Sequence, residues 1–546
     1  MSNDSLARRN FFRIGGASLV GAGFPFQPLP AQPTSAPANS AVFDVKYFGA
    51  TGDGKSLDTP AINQAIESAR ASGGGTVRFP AGSYLCYSIH LKSNVALYLE
   101  PGAIIVAADP PSSGSGGYDE AESNAPWESY QDFGHNHWHN SLLWGESLEN
   151  VSILGPGLIW GRGLSRGFGA PVAEHPGVGN KAIALKNCHN VILRDFSILK
   201  GGHFGILATG VDNFTIDNLK IDTDRDGIDI DCCRNVRVSN CSVNSPWDDG
   251  ICPKSSFALG YARATENLTI TNCYVTGIYQ LGALLDGTFK HFDANADFSE
   301  ISNPHVKDAP SRKYGIGRIK FGTESNGGFK NITVSNCVFE GCFGFALETV
   351  DGAPLEDVTI SNIAMRDLVA SPLFLRLGSR MRGPSGVPVG SLRRVLITNL
   401  SCSNADSNFG CILAGIPGHP IEDIQLRDIY LQHRGGGTRE DAALQPAELE
   451  TKYPEPIMFG RMPSQGFFIR HARNISLDNV EIAPMKEDLR PAFVLKDVHG
   501  AEFARVRAPH AKDVPTFALT DVSGFTVYRS RNVPDTQLDH VDQQSL

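Results

Sequence analysis

Short runs in which apolar and polar residues alternate recur along most of the chain, joined in pairs at an asparagine or aspartate. Examples are DNFTIDNLKI, RNVRVSNCSV and ENLTITNCYV. Alternation over about four to eight residues is typical of a β-strand with one buried face. The joining positions are Asn218, Asn240, Asn272, Asn336, Asn362, Asn399, Asp428 and Asn479. The shortest interval separates Asn218 from Asn240, and the longer ones indicate insertions between similar repeats.

A repeat of about 22 residues cannot bury its own apolar face, so the repeats must stack. Stacking pairs each strand with the coils above and below it at ~4.8 Å. The sequence therefore predicts an all-β chain folded as a right-handed, single-stranded parallel β-helix, with the hand taken from the handedness of parallel crossovers. Asparagines stacked at one turn are expected to form a hydrogen-bonded ladder and to accept left-handed backbone.

A short helix is predicted before the first regular coil. Thr59 is a suitable capping residue and Pro60 suits the first helical position. Ile62, Ile66 and Ala69 then share one face. We expect this helix to seal the N-terminal end of the apolar column.

Three of the eleven cysteines fall at a regular position of the repeat. Cys241, Cys273 and Cys337 stand where other copies have leucine or isoleucine. A position that accepts cysteine, leucine or isoleucine faces the core, which predicts buried free thiols.

The first residues are similar to a bacterial twin-arginine export signal, because Arg8-Arg9 precede Phe11-Phe12 and a short, glycine-rich apolar stretch. We expect a signal and linker over residues 1–38, the β-helix over 39–535 and a polar tail over 536–546, with a periplasmic or extracellular location. No other stretch stays apolar for as long as a membrane span needs, so no span is expected. The net charge of −10 disfavours nucleic acid as a partner.

Three aspartates stand at related positions in adjacent repeats. Asp226 lies in DRDGIDID, and Asp248 and Asp249 follow in SPWDDGICPK. The interval from Asp226 to Asp248 equals the shortest repeat, from Asn218 to Asn240, so the three carboxylates are expected at one patch of surface. Their repulsion raises at least one pKa and leaves a protonated acid beside ionised bases. Glycoside hydrolysis requires this combination.

Basic residues follow the aspartates. Lys254 closes the Asp-Asp stretch, and Arg318 and Lys320 alternate along YGIGRIKFG, so a strand would point both to one side. Such a group is suited to hold the carboxylate of an acidic sugar.

These motifs resemble those of the polygalacturonases, glycoside hydrolase family 28, which are right-handed parallel β-helices that hydrolyse pectin with inversion. DRDGIDI matches the family's Asn-Thr-Asp-Gly-Ile-Asp, DDGICPK matches its Asp-Asp and lysine, and its Arg-Ile-Lys is unchanged. The resemblance implies Asp248 as general acid, with Asp226 and Asp249 activating the water. It also implies that Arg318 and Lys320 bind the uronate carboxylate, and that acid and base are ~6.5–9.5 Å apart.

One family motif is missing. Gly-His-Gly should fall near GIYQLGALLDGT, residues 277–288, which contain no histidine. This departure puts the identity of the substrate in question, and altered motifs also resemble those of relatives that cleave other pectic backbones, such as rhamnogalacturonan. His203 precedes Asp226 by about one repeat, so it is expected one coil away on the same face and is a candidate to line a subsite.

Histidines cluster in GHNHWHN, where His135, His137 and His139 alternate. In a strand they would share one face, as sugar contacts or as zinc ligands. The longest departures from the repeat, residues 110–140 and 289–313, are expected to build the binding cleft.

The main hypothesis is an exported monomer that hydrolyses α-linked galacturonate in pectic polysaccharide or oligosaccharide without cofactor or metal. A rhamnogalacturonan hydrolase is one alternative. Another is a polysaccharide lyase on the same fold, which would use a basic residue and usually calcium. The third is a β-helix that binds glycans without catalysis.

Overall fold

The computed structural model describes residues 41–112, 116–132, 134–167, 175–292, 315–509 and 511–546. Within them the strands pair in parallel from coil to coil, which confirms the predicted all-β parallel β-helix. The predicted signal lies outside the described residues. In the described part of the chain, no helix is both long enough and apolar enough to cross a membrane.

The N-terminal coils are built from short strands. In chain order these are β1 (Val42–Asp44), β2 (Asp53–Leu57), β3 (Gly75–Phe79), β4 (Gly82–Cys86), β5 (Ile89–His90), β6 (Val95–Leu99), β7 (Ala103–Ala107), β8 (Leu143–Glu146), β9 (Glu149–Leu154), β10 (Leu158–Trp160), β11 (Lys181–Lys186), β12 (His189–Arg194), β13 (Ser197–Leu199), β14 (Phe204–Thr209), β15 (Asp212–Asp217), β16 (Lys220–Asp222), β17 (Asp226–Asp231), β18 (Arg234–Ser239), β19 (Ser242–Asn244), β20 (Ile251–Lys254), β21 (Thr265–Thr271) and β22 (Tyr274–Thr276).

In the C-terminal coils, two of the three faces are spanned by single long strands that bend at the asparagine turn. The strands are β23 (Lys320–Phe321), β24 (Phe329–Glu340), β25 (Phe345–Thr349), β26 (Pro354–Arg366), β27 (Leu373–Leu377), β28 (Ser391–Ala405), β29 (Cys411–Ala414), β30 (Ile421–His433), β31 (Phe467–Pro484), β32 (Phe493–Ala504), β33 (Phe517–Tyr528) and β34 (Thr536–Ser545). The helical segments are α1 (Thr59–Ala71), α2 (Arg439–Ala442) and the 3-10 turns Val45–Phe48, Glu128–Tyr130 and Pro456–Phe459.

One face of the coil carries the candidate site. It is a parallel sheet in the order β5-β8-β11-β14-β17-β20, and a bridge from Ile251 to Ile319 continues it towards β23. Its register places Phe204 beside Asp226 and Asp231 beside Lys254. Residues one repeat apart in sequence are therefore neighbours on this face.

The predicted asparagine turns are confirmed. All eight joining residues have left-handed backbone, with φ between 54 and 58°. Their side chains bond from coil to coil, for example from Nδ2 of Asn399 to Oδ1 of Asn362 at 2.7 Å. A second ladder, which the sequence analysis did not identify, joins Asn94, Asn150, Asn190, Asn213, Asn235, Asn267 and Asn331.

The interior is one continuous apolar column. All eleven cysteines are buried and free, as predicted for the three in the repeat. The side chains of Ile62, Ile66 and Ala69 on α1 join the end of this column. The helix begins at Thr59 with Asp58 at its N-cap, one residue earlier than predicted, and the Asp58 carboxylate binds backbone amides of the preceding turn instead.

The end of the chain differs from the prediction. Thr536–Ser545, expected to be a polar tail, forms strand β34 and pairs antiparallel with β33. Reversing the direction lets the last parallel strand bond to a partner without another full coil.

Long excursions leave the coil just before its strand on the site face. They span residues 108–142, 277–319 and 434–466. The first two include the predicted cleft loops, although most of 289–313 lies outside the described residues. The third, between β30 and β31, was not predicted and also reaches the site.

Candidate active site

Asp226, Asp248 and Asp249 come together on adjacent coils. Asp226 opens β17, and the Gly227 amide donates to the Asp249 carbonyl at 2.9 Å, which aligns the two coils. One carboxylate oxygen from each aspartate lies within 4.8 Å of the other two. The three carboxylates therefore meet at one place, as the spacing of one repeat between them predicted.

Asp249 is surrounded by cations. Arg318 Nε donates to its Oδ1 and Lys320 Nζ to its Oδ2, both at 2.9 Å. Burial alone would raise the pKa of Asp249, but the Lys320 and Arg318 charges lower it well below the usual range. Asp249 is therefore the ionised member of the group.

Arg318 and Lys320 each bind a second protein group besides Asp249. The second partner of Arg318 is Glu455 Oε1, at 2.6 Å from Nη2, and that of Lys320 is the Tyr453 hydroxyl, at 3.2 Å. Both side chains are buried, with 1% and 3% exposure. The two residues thus hold Asp249 in place. Their predicted role as ligands of a uronate carboxylate stays a prediction, and this geometry gives it no support.

Asp226 and Asp229 have the opposite electrostatics. Burial, together with repulsion from Asp229 and Asp248, raises the pKa of Asp226 well above its usual value. Burial raises the pKa of Asp229 to about 8, although Lys254 opposes the shift from 3.5 Å away. At neutral pH this part of the cluster therefore holds a proton, which belongs to coupled groups rather than to one residue.

Asp248 is the most exposed of the three aspartates, with a side chain 15% exposed. Arg225 donates to its Oδ2 from Nη2 at 2.6 Å and from Nε at 3.1 Å. Arg225 Nη1 also lies 2.9 Å from Nε2 of His203, which stacks on Phe204. His203 therefore lies one coil from Asp226, as predicted. Its link to Asp248 runs through Arg225.

The three histidines of GHNHWHN do not form one group. His135 comes within 4.8 Å of Asp226 and Asp229, and its Nδ1 lies 3.5 Å from Glu324. His137 faces Glu128, and His139 lies elsewhere, near Glu122 and Glu146. The segment is a turn rather than a strand, so alternation in sequence did not place these side chains on one face.

The spacing of the aspartates is short. Their nearest oxygens lie closer than the ~6.5–9.5 Å that the resemblance implied, so the distance gives no support to inversion. Oxygens up to 4.8 Å apart can share one water molecule, because each hydrogen bond spans about 2.8 Å. The cluster has the geometry to hold and deprotonate a water.

Comparisons with known proteins agree with the fold. Residues 181–363 match a model described as right handed beta helix region, and residues 42–159 match one described as rhamnogalacturonase A/epimerase, pectate lyase-like. A probable polygalacturonase from Vitis vinifera is 26% identical over 299 residues, 50% of this chain and 56% of the relative. The resemblance to polygalacturonases is confirmed.

A solved structure, the family 28 exopolygalacturonase of Yersinia enterocolitica, covers 90% of this chain and 78% of its own, with a TM-score of 0.59 and 18% identity. At that identity it shows the fold alone. A mannuronan C5-epimerase of Azotobacter vinelandii is 50% identical over 66 residues, 12% of this chain and 4% of the epimerase. The chain spans about half the length of the curated polygalacturonase that it matches.

The structure explains part of the departure from the polygalacturonase motifs. Residues 277–288 make contacts with Asp222 and Glu340. The backbone amides of Gly282 and Leu284 bind Asp222, and the Tyr279 hydroxyl binds Glu340 at 3.0 Å. The imidazole beside the cluster comes instead from His135, in the first excursion.

Sequence reasoning missed several residues of the site: Arg225, Asp229, Glu324, Tyr453 and Glu455. It named His135 as one of three alternating histidines but did not place it at the aspartate cluster. For two of the missed residues a signal was present. Arg225 occupies the threonine position of the family motif and Asp229 its last aspartate. Tyr453 and Glu455 come from the excursion of 434–466, where the spacing in sequence fixes no register, and Glu324 follows β23.

Proposed function

We propose that the protein is a glycosidase that hydrolyses glycosidic bonds in a galacturonate-containing pectic polysaccharide or oligosaccharide. The observation that carries the proposal is the group of three aspartate oxygens within 4.8 Å, one carboxylate of which is held ionised by two cations. The similarity to polygalacturonases supports the same chemistry. Such a group supplies both the base and the acid of glycoside hydrolysis.

The proton of the acid comes from the coupled part of the cluster. The coupled carboxylates of Asp226 and Asp229 share it at rest, because burial raises the pKa of both. Moving it to Asp248, the most exposed of the three, leaves Asp226 and Asp249 ionised on either side of a water. Asp248 then donates the proton to the leaving oxygen, and the water loses one to the two bases.

Arg225 is the cation that we propose for the uronate carboxylate. Its side chain is 12% exposed, whereas Arg318 and Lys320 are buried in contact with Asp249. A substrate carboxylate that binds the guanidinium competes with Asp248 for it.

Product analysis tests the proposal. Purified protein is incubated with polygalacturonate and with rhamnogalacturonan, and new reducing ends, product size, anomeric configuration and absorbance of unsaturated products are measured. Reducing ends without unsaturation are expected, and polygalacturonate should be the better substrate. Unsaturated products that a chelator abolishes would show a lyase, and rapid cleavage of rhamnogalacturonan alone would show the other hydrolase.

Substitution then ties the activity to the cluster. Asp249→Asn should lower kcat by about 10²–10⁴-fold, the usual contribution of acid–base catalysis. Asp217→Asn, on the asparagine ladder of a different face, is the matched control and should retain activity. Full activity in folded Asp249→Asn protein would contradict the proposal.

A further inference from the structure

A second group of convergent side chains lies outside the aspartate cluster. Glu122, His139 and Glu146 each offer one atom within 4.8 Å of the other two. His139 Nε2 lies 3.1 Å from Glu146 Oε2 and 3.5 Å from Glu122 Oε1. We propose that these three residues bind a divalent transition metal ion, with zinc as the first choice.

The distances suit a metal ion. Zinc binds histidine nitrogen and carboxylate oxygen at ~2.0–2.1 Å, so ligands at tetrahedral positions lie about 3.3 Å apart. The two separations at His139 bracket that value. A tetrahedral ion would take Glu122, His139 and Glu146 and keep one position for water.

The other atoms of the carboxylates are already fixed. Glu122 Oε2 accepts from the Trp138 amide at 2.8 Å, and its buried Oε1 has no hydrogen-bond partner among the described residues. Glu146 Oε1 lies 2.9 Å from Lys186 Nζ. Each carboxylate therefore has one oxygen held by the protein and turns the other towards His139, as partners behind a metal ligand do.

The histidine ring is fixed as well. It packs on the Trp144 ring, with centroids 4.0 Å apart. The side chains of His139, Glu122 and Glu146 are 20–33% exposed, so an ion can enter from solvent. Two carboxylates and one lysine leave a net negative charge around the position.

The ligand set separates the possible metals. Calcium prefers six to eight oxygen ligands, whereas a site with one imidazole suits zinc or a neighbouring transition metal. The cysteines are all buried elsewhere and offer no competing thiolate at the surface. The site should therefore bind zinc in preference to calcium.

The position suggests a role. Glu146 is on β8, three strand spacings from β17 on the same face, or about 14 Å. Glu122 and His139 belong to the first excursion, so the ion would tie that excursion to the coil. The same excursion carries His135 to the aspartate cluster, and the ion would therefore help to fix that histidine.

Metal binding is measured on the full chain without substrate, so the result is independent of the proposed hydrolysis. Protein treated with chelator is titrated with zinc and with calcium by calorimetry. One zinc ion should bind, and Glu122→Gln, His139→Asn and Glu146→Gln should each weaken binding at least about tenfold. Glu149→Gln is the control, because His189 and Glu149 form an isolated pair with the same 3.1 Å separation; it should bind like the wild type.

If a variant fails to fold, X-ray absorption of the zinc-loaded wild type identifies the ligand atoms of the ion instead. Nitrogen and oxygen ligands alone are expected. Sulfur ligands, equal affinity in all folded variants, or no saturable zinc binding would each overturn the proposal.

Discussion

Arg225 donates two hydrogen bonds to one oxygen of Asp248, from Nη2 at 2.6 Å and from Nε at 3.1 Å. The contact joins consecutive coils, since Arg225 precedes β17 and Asp248 precedes β20. It places a guanidinium beside the most exposed of the three aspartates. A guanidinium and a carboxylate side by side at the surface can distinguish substrates that carry a charged carboxylate from those that do not.

Arg225→Ala should lower kcat/KM for polygalacturonate by about 10–100-fold. Hydrogen bonds to charged groups contribute about 1.5–3 kcal/mol, and the uronate carboxylate would lose this partner. The loss should be smaller for methyl-esterified pectin, whose carboxyl groups carry no charge. Initial rates on both substrates measure the difference.

Arg263→Ala is the control, because Arg263 forms a similar ion pair with Asp212 away from the site, at 2.6 Å. It should leave both rates unchanged. Equal losses on charged and esterified substrate in Arg225→Ala would mean that Arg225 acts only on Asp248.

Lys320→Met should move the acidic limb of the pH profile of kcat/KM to higher pH. Lys320 is the largest favourable influence on the Asp249 carboxylate, so its removal raises the pKa of Asp249. A base acts only when it is deprotonated, and a higher pKa therefore requires a higher pH. One opposite charge commonly shifts a pKa by about one unit or more.

The profile is measured from pH 2 to 8 on wild type, Lys320→Met and the exposed-site control Lys220→Met, because the lowered pKa of Asp249 puts the wild-type limb at or below the acidic end of this range. The control should follow the wild type. An acidic limb that does not move in Lys320→Met would show that Asp249 is not the base that this limb reports.

The repeat could be predicted because its signals are local. Asparagine favours left-handed backbone, which Asn218 and Asn240 adopt, and the interval between these two residues equals one coil. The same interval separates Asp226 from Asp248, and Asp249, one residue further on, lies beside Asp226. The stacking of the coils and the grouping of the three aspartates could therefore both be predicted from the repeat length.

The residues that surround the three aspartates could not be predicted in the same way. Glu455 and Tyr453 reach Arg318 and Lys320 from an excursion of 434–466, where the number of residues fixes no position in space. For the same reason, the sequence did not show which of the three histidines in GHNHWHN lies at the aspartate cluster, and the structure shows that it is His135. Only the structure shows that Arg318 and Lys320 already have partners.

Glu348→Gln should stabilise the protein increasingly as the pH rises. Burial raises the pKa of Glu348 to about 8 despite nearby Lys320 and Arg318, and neither carboxylate oxygen has a hydrogen-bond partner among the described residues. The unfolded glutamate ionises near its ordinary 4.5, so the wild type loses stability from about pH 4.5 to about pH 8. Glutamine does not titrate and avoids this loss.

The difference in unfolding free energy should grow to the order of a few kcal/mol, since one pKa unit corresponds to ~1.4 kcal/mol. Urea unfolding at pH 4.5, 6 and 8 measures it. Glu266→Gln, at a partly exposed ion pair with Arg234, should show no such trend. A constant difference across pH in Glu348→Gln would contradict the raised pKa.

Asn399→Ala should destabilise the coil more than Asn399→Gly does. Asn399 has a φ of 54° and donates to Asn362 at 2.7 Å. Both variants lose that hydrogen bond, worth about 0.5–1.5 kcal/mol, but only alanine adds the ~1–2 kcal/mol cost of left-handed backbone. Urea unfolding should therefore rank wild type above Gly and Gly above Ala, with Ser361→Ala, beside the same ladder, close to wild type. If Gly and Ala were equally destabilising, the ladder would be held by side-chain bonds alone and the left-handed turn would contribute nothing to the choice of asparagine.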